Sequence, residues 1–420
     1  MVRRGIQAGL LLMLAACGGG SGSSNAQPSN PQPGNPPPSA GPAFVTTPVA
    51  AFDSPWAMAF LPGSNLAIVT EKPGRLWLVD ITNGSKQAVS GAPAVVLSSQ
   101  GGLLDVKLSP TFATDNQVYL TYSERSAPGG SSLALARAQL VRDASGARLQ
   151  NLGVLWHDPA GGQGGQFGAI IAFAPDGKSL FLSSGERQRF TPAQDRNQPL
   201  GKILHLTLDG KPAPGNPMAG QTGAATMMVT DPPANTEDAK TASGRSFTWP
   251  GPNLTPSETW SSGHRNPYGL TFDAQGRLWE TEMGPRGGDE LNLILPGKNY
   301  GWPIVSNGDN YSGQPIPDHP SRPDLEAPKL WWNPSISPGG MIYYSGIMFP
   351  AYKGSLFIAA MSTPGLIRVT LSGDTATAAD FWDFGTRIRD VAQAPDGSIW
   401  LLEDGEEGSG GRLMRLTPKG

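Results

Sequence analysis

Two short loops carry a dense set of groups that can bind an anion and a hard cation. One runs from His264 to Asn266 and the other from Gly284 to Glu290, and glycines and prolines surround both. The guanidinium of Arg265 can pair with a carboxylate through two parallel hydrogen bonds. Backbone carbonyls on an open Gly-Pro loop, together with a carboxylate, are oxygen ligands of the kind that Ca²⁺ takes. These residues predict a site for an anionic ligand and a calcium ion.

Two further arginines precede a strand-like segment near the C-terminus. Arg387 and Arg389 are two residues apart, so both project from one side of an extended chain. Two like charges on one side repel each other unless an anion lies between them. Gln100 and the glycine-rich segment 161–168 also precede strand-like segments. We expect all of these groups to converge with Arg265 at one binding site.

The four histidines do not predict a metal site by their spacing. His264 lies beside an arginine inside a turn, which is typical of a hydrogen-bonded structural histidine. His157, His205 and His319 show no mutual ligand spacing. The sequence therefore gives no support for a zinc site.

A repeat must position these loops. An apolar strand, a turn and a second strand that ends near an acidic residue recur six times, and the turns 174–177 and 394–397 contain Asp-Gly, which favours a hairpin. The six copies start at Trp56, Leu104, Ala169, Tyr268, Met341 and Arg389. Six β-units with few candidate helices predict an all-β fold, a six-bladed β-propeller around a central channel. A generic β-sandwich is the alternative, and residues 221–261, which break the spacing, are predicted to form a long loop between blades three and four.

The N-terminal residues have the composition of a targeting segment and a tether. An apolar stretch ends at Leu14-Ala15-Ala16-Cys17, which resembles a bacterial lipobox. We interpret residues 1–17 as a lipoprotein-type signal peptide with Cys17 as the lipidated residue, and an ordinary signal peptide is the alternative. Residues 18–42 contain only Gly, Ser, Asn, Ala, Gln and Pro and predict a disordered linker. Residues 43–420 would then be a propeller domain, lipid-anchored in the bacterial envelope on the periplasmic side of the outer membrane.

The bulk composition excludes several classes of protein. The net charge is −3 and no basic block is present, so nucleic acid is not an expected partner. Cys17 is the single cysteine, which leaves the domain without disulfides or thiol chemistry. The chain has 55 glycines, 41 prolines and 15% charged residues, and this composition is typical of a turn-rich β-protein.

Residues 44–418 resemble the soluble pyrroloquinoline quinone (PQQ)-dependent aldose dehydrogenases, the glucose/sorbosone dehydrogenase family. The motifs that carry the resemblance are Gly263–Pro267, Gly284–Asn292, Tyr300–Pro303, Pro334–Met341 and Arg387–Asp390. The resemblance implies PQQ- and Ca²⁺-dependent oxidation of an aldose at C1 to the lactone, by hydride transfer to the quinone. The implied partners are a small-molecule aldose and an electron acceptor that the sequence does not identify, while a membrane is reached only through the lipid anchor.

Position by position, the resemblance assigns residues to both cofactors. PQQ would be held by Gln100, Arg265, Asn266, Arg387 and Arg389. A catalytic Ca²⁺ would be held by the carbonyls of Gly284 and Pro285, and a structural Ca²⁺ by Glu290 and Tyr300. Arg265 and the catalytic Ca²⁺ would also stabilise the oxyanion that develops on the substrate.

One catalytic position departs from the family pattern. Gln166 stands where the family has the histidine that acts as general base on the C1 hydroxyl, and Ser362 stands where glucose-oxidising members carry a lysine. A glutamine can orient a hydroxyl but cannot accept its proton, and loss of a general base costs about 10²–10⁴ in rate. Catalysis is therefore expected to be weakened or altered unless another group, such as His157 or Glu186, replaces the base.

Two other functions remain open on the sequence. The first is a non-catalytic envelope propeller that binds a sugar, a polysaccharide or PQQ, and the loss of the histidine favours it. The second is a scaffold lipoprotein whose calcium site only stiffens the propeller. The three arginines favour binding of a polyanion over the scaffold alone.

Overall fold

The computed structural model describes Ser39 and residues 44–126, 129–230, 237–406 and 410–419. The signal-peptide and lipidation predictions at residues 1–17, including Cys17, and all of the linker except Ser39 lie outside the described residues. Among the described residues, no helix has the length and apolar character needed to cross a membrane.

Apart from one hairpin, the described strands form six four-stranded units, which we call blades one to six in chain order, and the outermost strands of blades one and two also pair with each other in parallel. Blade one consists of Pro55–Phe60, Leu66–Glu71, Arg75–Asp80 and Lys86–Ser90. Blade two consists of Leu103–Leu108, Gln117–Arg125, Ser131–Asp143 and Gly146–His157. Blade three consists of Gly168–Phe173, Ser179–Ser184, Lys202–Thr207 and Thr259–Ser262. Within each blade, neighbouring strands pair antiparallel.

The second half of the chain repeats the same unit. Blade four consists of Pro267–Phe272, Leu278–Glu282, Asp289–Ile294 and Leu330–Trp332. Blade five consists of Pro338–Tyr343, Ser355–Ala360, Gly365–Ser372 and Thr375–Asp383. Blade six consists of Ile388–Gln393, Ile399–Glu403, Arg412–Pro418 and the N-terminal strand Phe44–Ala51. The described helices are short, at Phe112–Asp115, Thr191–Gln194, Glu237–Lys240, Thr255–Glu258, His319–Ser321 and Pro350–Tyr352.

The blades close into a ring, which confirms the predicted β-propeller. The first strand of each blade contacts the first strand of the next, and that of blade six contacts that of blade one. The N-terminal strand pairs with the last strand of the chain, with Phe44 opposite Pro418 and Ala51 opposite Arg412. The first strands therefore surround a central channel, and the two chain ends fasten the ring together.

The core explains why these sequences form sheets that stack. Apolar side chains on adjacent blades interdigitate, as where Trp279 of blade four lies in one cluster with Leu356 and Ile367 of blade five. The predicted turns have the expected geometry, because Gly177 has a φ of +68° and its N–H donates to the Ala174 carbonyl at 2.9 Å. Asp-Gly in that turn thus sets the register of blade three.

Two sequence-based assignments differ from the structure. Residues 221–261 are not a plain loop, because they contain the hairpin Thr226–Thr230 with Gly244–Thr248 and most of the outermost strand of blade three. The first strand of blade five begins at Pro338 rather than Met341 and ends at Tyr343. In both places glycine and proline broke the period-2 pattern from which strands are predicted.

Candidate functional site

One end of the channel collects the predicted site residues. The first strand of every blade begins at this end and the antiparallel second strand finishes there, so the loops before the first strands and after the second strands meet. We call this end the channel mouth. Gln100, Gln166, Asn266 and Arg387 each lie in a loop immediately before a first strand.

An amide network joins three of these loops. The Gln100 side-chain carbonyl accepts the backbone N–H of Gln166 at 2.7 Å and the Tyr268 hydroxyl at 2.9 Å. It also lies 3.5 Å from the side-chain nitrogen of Asn266. Gln166 and Asn266 are buried, with 2% and 0% exposure. The structure therefore brings the predicted cofactor residues Gln100 and Asn266 against the position of the missing base.

Arg265 joins the same mouth to the predicted calcium loop. Its Nη1 donates to the carbonyl of Met283 at 3.0 Å and to that of Gly284 at 2.6 Å. Its guanidinium also lies 5.2 Å from the centre of the Trp302 ring, and the residue is buried. A Cβ on Gly284 would come within 2.2 Å of the Gly287 carbonyl, so this turn requires glycine. The Gly284 carbonyl thus faces the guanidinium that the family resemblance assigned to PQQ.

Arg387 and Arg389 of blade six project together, as predicted. The anion between them is a residue of the protein itself, Asp404. Asp404 accepts the Nε of Arg387 at 2.7 Å through one oxygen and the Nε of Arg389 at 2.7 Å through the other. Burial alone would raise the pKa of Asp404, but the two guanidiniums outweigh it and hold the pKa below its ordinary value. Asp404 therefore stays ionised and fixes both arginines at the mouth.

Aromatic rings form a floor beneath these arginines. The Arg389 guanidinium lies 4.6 Å from the Trp56 ring centre and 5.9 Å from that of Tyr268. Burial raises the pKa of Tyr268 to about 12. The phenol is therefore neutral and donates its proton to Gln100. This stack joins blade one, blade four and blade six directly below the mouth.

A buried arginine holds the loop that carries Gln166. Arg187 donates to the carbonyls of Gly165 at 3.1 Å, Gly164 at 2.9 Å and Ser131 at 3.1 Å, and it lies 3.8 Å from the Phe167 ring centre. Gln166 itself has a φ of +56°, a left-handed conformation that costs a non-glycine residue free energy. The clamp therefore fixes the backbone at the position where the family carries its base.

The two groups suggested as replacement bases occupy unsuitable positions. His157 ends the outermost strand of blade two and pairs with Glu124 at 2.6 Å, three strands from the channel. Glu186 is fully buried near Arg265, and burial raises its pKa. Its carboxylate accepts the backbone N–H of Gln188 at 3.1 Å and those of Arg189 and Phe190. Glu186 therefore caps its own turn.

The predicted structural calcium ligands border a small cavity of about 10 Å³. Glu290, Tyr300 and Glu282 line it, together with the backbone around Gly284. The Tyr300 carbonyl accepts Nε2 of His319 at 3.1 Å. A space of this size is about the smallest that holds one water molecule or ion. The oxygen donors and the volume are of the kind that a single hard cation takes, although the Arg265 side chain also borders the cavity.

Carboxylates are unusually concentrated beside this cavity. The side-chain nitrogen of Asn292 lies 3.1 Å from Glu280, 3.4 Å from Glu282 and 3.2 Å from Glu290. Burial, and then the neighbouring Glu282, raises the pKa of Glu280 and of Glu290 well above the ordinary value. Oε1 of Glu280 is buried without a hydrogen-bond partner among the described residues. An added cation would remove the cost of burying these acids together.

A cavity of about 440 Å³ fills the channel below the aromatic floor, lined by residues of all six blades. Asp390 faces Lys107 and Asp105 there. Its oxygens accept the backbone N–H groups of Met58 at 3.2 Å and Val391 at 2.9 Å. Burial raises the pKa of Asp390 to about 7, with Asp105 adding to the rise and Lys107 opposing it.

This pKa predicts a pH-dependent stability term. Folded Asp390 keeps a proton up to about pH 7, whereas the unfolded chain releases it near 3.8, so the free energy of unfolding falls as pH rises between those values. We therefore expect the free energy of unfolding of wild type, relative to that of Asp390→Asn, to fall by about 3 kcal/mol between about pH 5 and about pH 8. Urea unfolding of both proteins at each pH measures it. A difference that does not change with pH would contradict the assignment.

Sequence reasoning missed several residues of the mouth. Asp404 and Tyr268 were not selected, although Asp404 follows the acidic end of a second strand, a position that the repeat itself marks. Glu280, which was also missed, lies near the same kind of strand end in blade four, whereas Glu282 was among the charged groups that the sequence indicated. Arg187 could not be selected from the sequence, because it binds backbone carbonyls, and a sequence does not show which carbonyls lie near an arginine.

The chain is similar in sequence to known proteins. The glucose/sorbosone dehydrogenase family profile matches residues 52–230 and 236–415. The chain is 34% identical over 389 residues to the aldose sugar dehydrogenase YliI of Escherichia coli, covering 90% of this chain and 95% of that one.

Two solved structures are similar to this chain in fold and sequence. A crystal structure of a glucose dehydrogenase superposes with a TM-score of 0.76 and 37% identity, covering 89% of this chain and 100% of the other. The PQQ-bound aldose sugar dehydrogenase of Streptomyces coelicolor superposes with a TM-score of 0.67 and 30% identity, covering 90% and 99%. With the channel mouth and the matched segments together, the chain belongs to the glucose/sorbosone dehydrogenase family.

Proposed function

We propose that this protein oxidises an aldose at C1 to the lactone, with PQQ and Ca²⁺ as cofactors. The observation that carries the proposal is the convergence of Arg265, Arg387 and Arg389 with Gln100 and Asn266 at one channel mouth. A relative named as an aldose sugar dehydrogenase and a structural neighbour described as PQQ-bound support it.

The mouth fits a polycarboxylate quinone by its charge and shape. Three guanidiniums offer donors to carboxylates, and the amides of Gln100 and Asn266 offer neutral hydrogen bonds beside them. The rings of Trp56 and Tyr268 supply an apolar floor. When bound, PQQ supplies a two-electron acceptor for the hydride that leaves the sugar C1.

We propose that a catalytic cation binds beside it. The carbonyls of Gly284 and Pro285 would hold Ca²⁺, which polarises a bound oxygen as a Lewis acid. Arg265 already donates to Gly284 at 2.6 Å, so the same guanidinium stands at the metal loop and at the mouth. In this proposal the positive charge of Arg265 would also stabilise negative charge that develops on the substrate oxygen.

Gln166 limits the rate at which a proton can be removed from the substrate hydroxyl. Oxidation at C1 removes a hydride from carbon and a proton from the hydroxyl, and a neutral amide can orient that hydroxyl but cannot take its proton. Glu186 is committed to backbone N–H groups, and His157 lies on an outer strand. We propose that the proton passes to solvent, which leaves slow turnover.

The experiment is reconstitution of the purified protein with PQQ, with and without Ca²⁺, followed by dye-linked oxidation of a panel of aldoses. We expect slow turnover that requires both cofactors. Tight PQQ binding without turnover on any aldose would overturn the catalytic proposal.

A second candidate is a non-catalytic binding protein for PQQ or a sugar, and Gln166 is the observation that favours it. Saturable binding of PQQ or a sugar to the mouth, with no electron transfer to a dye, would establish it. Titration followed by calorimetry, in parallel with the dye assay, separates the two functions.

We also propose that Glu290 and the Tyr300 carbonyl hold a structural Ca²⁺. At 100 times its Kd, Ca²⁺ should raise the free energy of unfolding by about 2.7 kcal/mol, since it binds the folded state alone. Glu290→Gln should remove this gain in urea unfolding with Ca²⁺ against EDTA. Glu326→Gln, a matched change at a carboxylate paired with Lys329, should keep it. An equal gain in all three proteins would place the ion elsewhere.

Finally, we propose that Cys17 is lipidated and that the propeller is anchored on the periplasmic side of the outer membrane. Cys17→Ser should then move the protein from the membrane fraction to the soluble fraction of fractionated cells. Wild-type protein in the soluble fraction would contradict the anchor without bearing on the active site.

A further inference from the structure

Tyr311 is the most exposed aromatic side chain in the part of the chain that the structure describes, at 50% exposure. Its ring centre lies 5.9 Å from the guanidinium of Arg265, which is buried and donates to a carbonyl of the predicted calcium loop at 2.6 Å. The other aromatic rings described near the mouth are buried, namely Trp56, Tyr268 and Trp302. An exposed aromatic ring beside a candidate active site is a surface that a ligand can cover.

A tight turn, residues 309–314, presents this ring. The backbone N–H of Asn310 donates to the Gln314 carbonyl at 3.0 Å, which closes the turn. At its base, Asp309 exchanges two backbone hydrogen bonds, of 3.0 and 3.2 Å, with Arg286 of the predicted calcium loop. The turn is therefore fixed to the same loop that Arg265 contacts.

The insertion at residues 221–261 braces the same turn. The hydroxyl of Ser312 donates to the Glu237 carboxylate, with its oxygen 2.8 and 2.9 Å from the two carboxylate oxygens. Ala239, in the same short helix as Glu237, is fully buried in a cluster with Trp302. The insertion therefore supports both the turn that carries Tyr311 and an aromatic ring beside the mouth.

The position of Tyr311 suits a sugar ring. A pyranose with equatorial hydroxyls presents a face of C–H bonds, and this apolar face packs against the electron-rich face of an aromatic ring. The 5.9 Å between the Tyr311 ring centre and the Arg265 guanidinium is about the width of one sugar ring. A pyranose that packs on Tyr311 can therefore extend to the guanidinium.

We propose that Tyr311 is an aromatic platform on which the pyranose ring of the substrate stacks, with C1 of the sugar towards Arg265. The occupant is the sugar because the floor of Trp56 and Tyr268 is buried, which suits the cofactor, whereas Tyr311 is open to solvent. This inference rests on the proposed dehydrogenase function and narrows its substrate to an aldose in its cyclic pyranose form with an apolar face.

The test is binding of 1,5-anhydro-D-glucitol to the full chain with PQQ and Ca²⁺ added, followed by ligand-observed NMR. This pyranose lacks the C1 hydroxyl, so the measurement needs no turnover. Tyr311→Ala should raise its Kd about threefold to tenfold, the contribution of one aromatic contact, while the Kd of PQQ stays unchanged. Tyr311→Phe keeps the ring and should raise the sugar Kd by less than about twofold. Ile347→Ala changes an exposed side chain in a loop of blade five and is the control.

The brace gives a second, independent variant. Glu237→Ala removes the acceptor for the Ser312 hydroxyl, so the turn loosens and the sugar Kd should rise, though less than in Tyr311→Ala. Glu237→Gln keeps an acceptor oxygen and should restore the wild-type Kd. Equal sugar affinity in wild type and Glu237→Ala would contradict the role of the insertion.

Three results would overturn the platform. They are no binding of the analogue to wild type, an equal sugar Kd in wild type and Tyr311→Ala, and a rise in the PQQ Kd of Tyr311→Ala as large as that of the sugar. The last would show that the ring packs on the cofactor. Dye-linked turnover with an unchanged sugar Kd in Tyr311→Ala would remove the platform alone, whereas Tyr311-dependent sugar binding without turnover would remove the dehydrogenase function alone.

Discussion

Replacing Gln166 by histidine should raise kcat/KM for aldose oxidation by about 10²–10⁴ when PQQ and Ca²⁺ are supplied, because that is the contribution of a positioned general base. The surrounding residues already hold the backbone of residue 166 in place. Gln166 is buried beside Gln100, and its backbone N–H is fixed by the Gln100 carbonyl at 2.7 Å. The change therefore adds a proton acceptor to a loop that is already in place.

The backbone conformation at residue 166 also favours the exchange. Its φ is +56°, and histidine is among the residues enriched in that region. The carbonyls of Gly164 and Gly165 stay held by Arg187, and these two hydrogen bonds do not involve the Gln166 side chain. Gln166→Asn is the matched control, since asparagine tolerates the same φ but cannot accept a proton.

The pH profile distinguishes a base from a merely better fit. An imidazole accepts a proton only when it is neutral, so the activity of Gln166→His should fall below about pH 6.5. PQQ affinity should stay near that of wild type in both variants, because the cofactor donors are unchanged. A gain in the asparagine variant, or no gain in the histidine variant with PQQ bound, would show that residue 166 does not limit the reaction.

The repeat made the architecture predictable. Alternating apolar residues and Asp-Gly turns, as at residues 174–177, are local signals, and six copies of a two-strand unit leave little choice of fold. The strand Phe44–Ala51 was not predicted, because its partner Arg412–Pro418 lies at the other end of the chain. Ring closure of this kind is set by long-range pairing, which local patterns do not encode.

The site was predictable only in part, for a related reason. Arg387 and Arg389 could be placed on one side of the chain from their spacing alone. Their counter-ion could not, since Asp404 reaches them from the end of the second strand of blade six. Likewise, the link between Arg265 and the Gly284 carbonyl joins residues 19 positions apart, at the two ends of the hairpin formed by the first two strands of blade four. Motifs identified the groups, while the contacts between motifs required the fold.

Arg387→Ala with Arg389→Ala should weaken PQQ binding by about 10²–10⁴. Each charged hydrogen bond contributes about 1.5–3 kcal/mol, and each 1.4 kcal/mol is a factor of ten in Kd. Quenching of tryptophan fluorescence measures the affinity, because Trp56 lies 4.6 Å from the Arg389 guanidinium. Arg415→Ala is the control in the same blade, as this arginine pairs with Asp396 outside the mouth. Its Kd should match that of wild type.

The double variant leaves Asp404 buried without its partners, which costs stability as well as affinity. Adding Asp404→Asn removes that unpaired charge while the cationic donors remain absent. If the arginines bind the cofactor, the triple variant should recover thermal stability yet still bind PQQ about 10²–10⁴ more weakly than wild type. Recovery of affinity together with stability would show that the arginines support the fold of blade six and do not contact the cofactor. The salt dependence of Kd should also become shallower in the triple variant, because fewer charges remain to be screened.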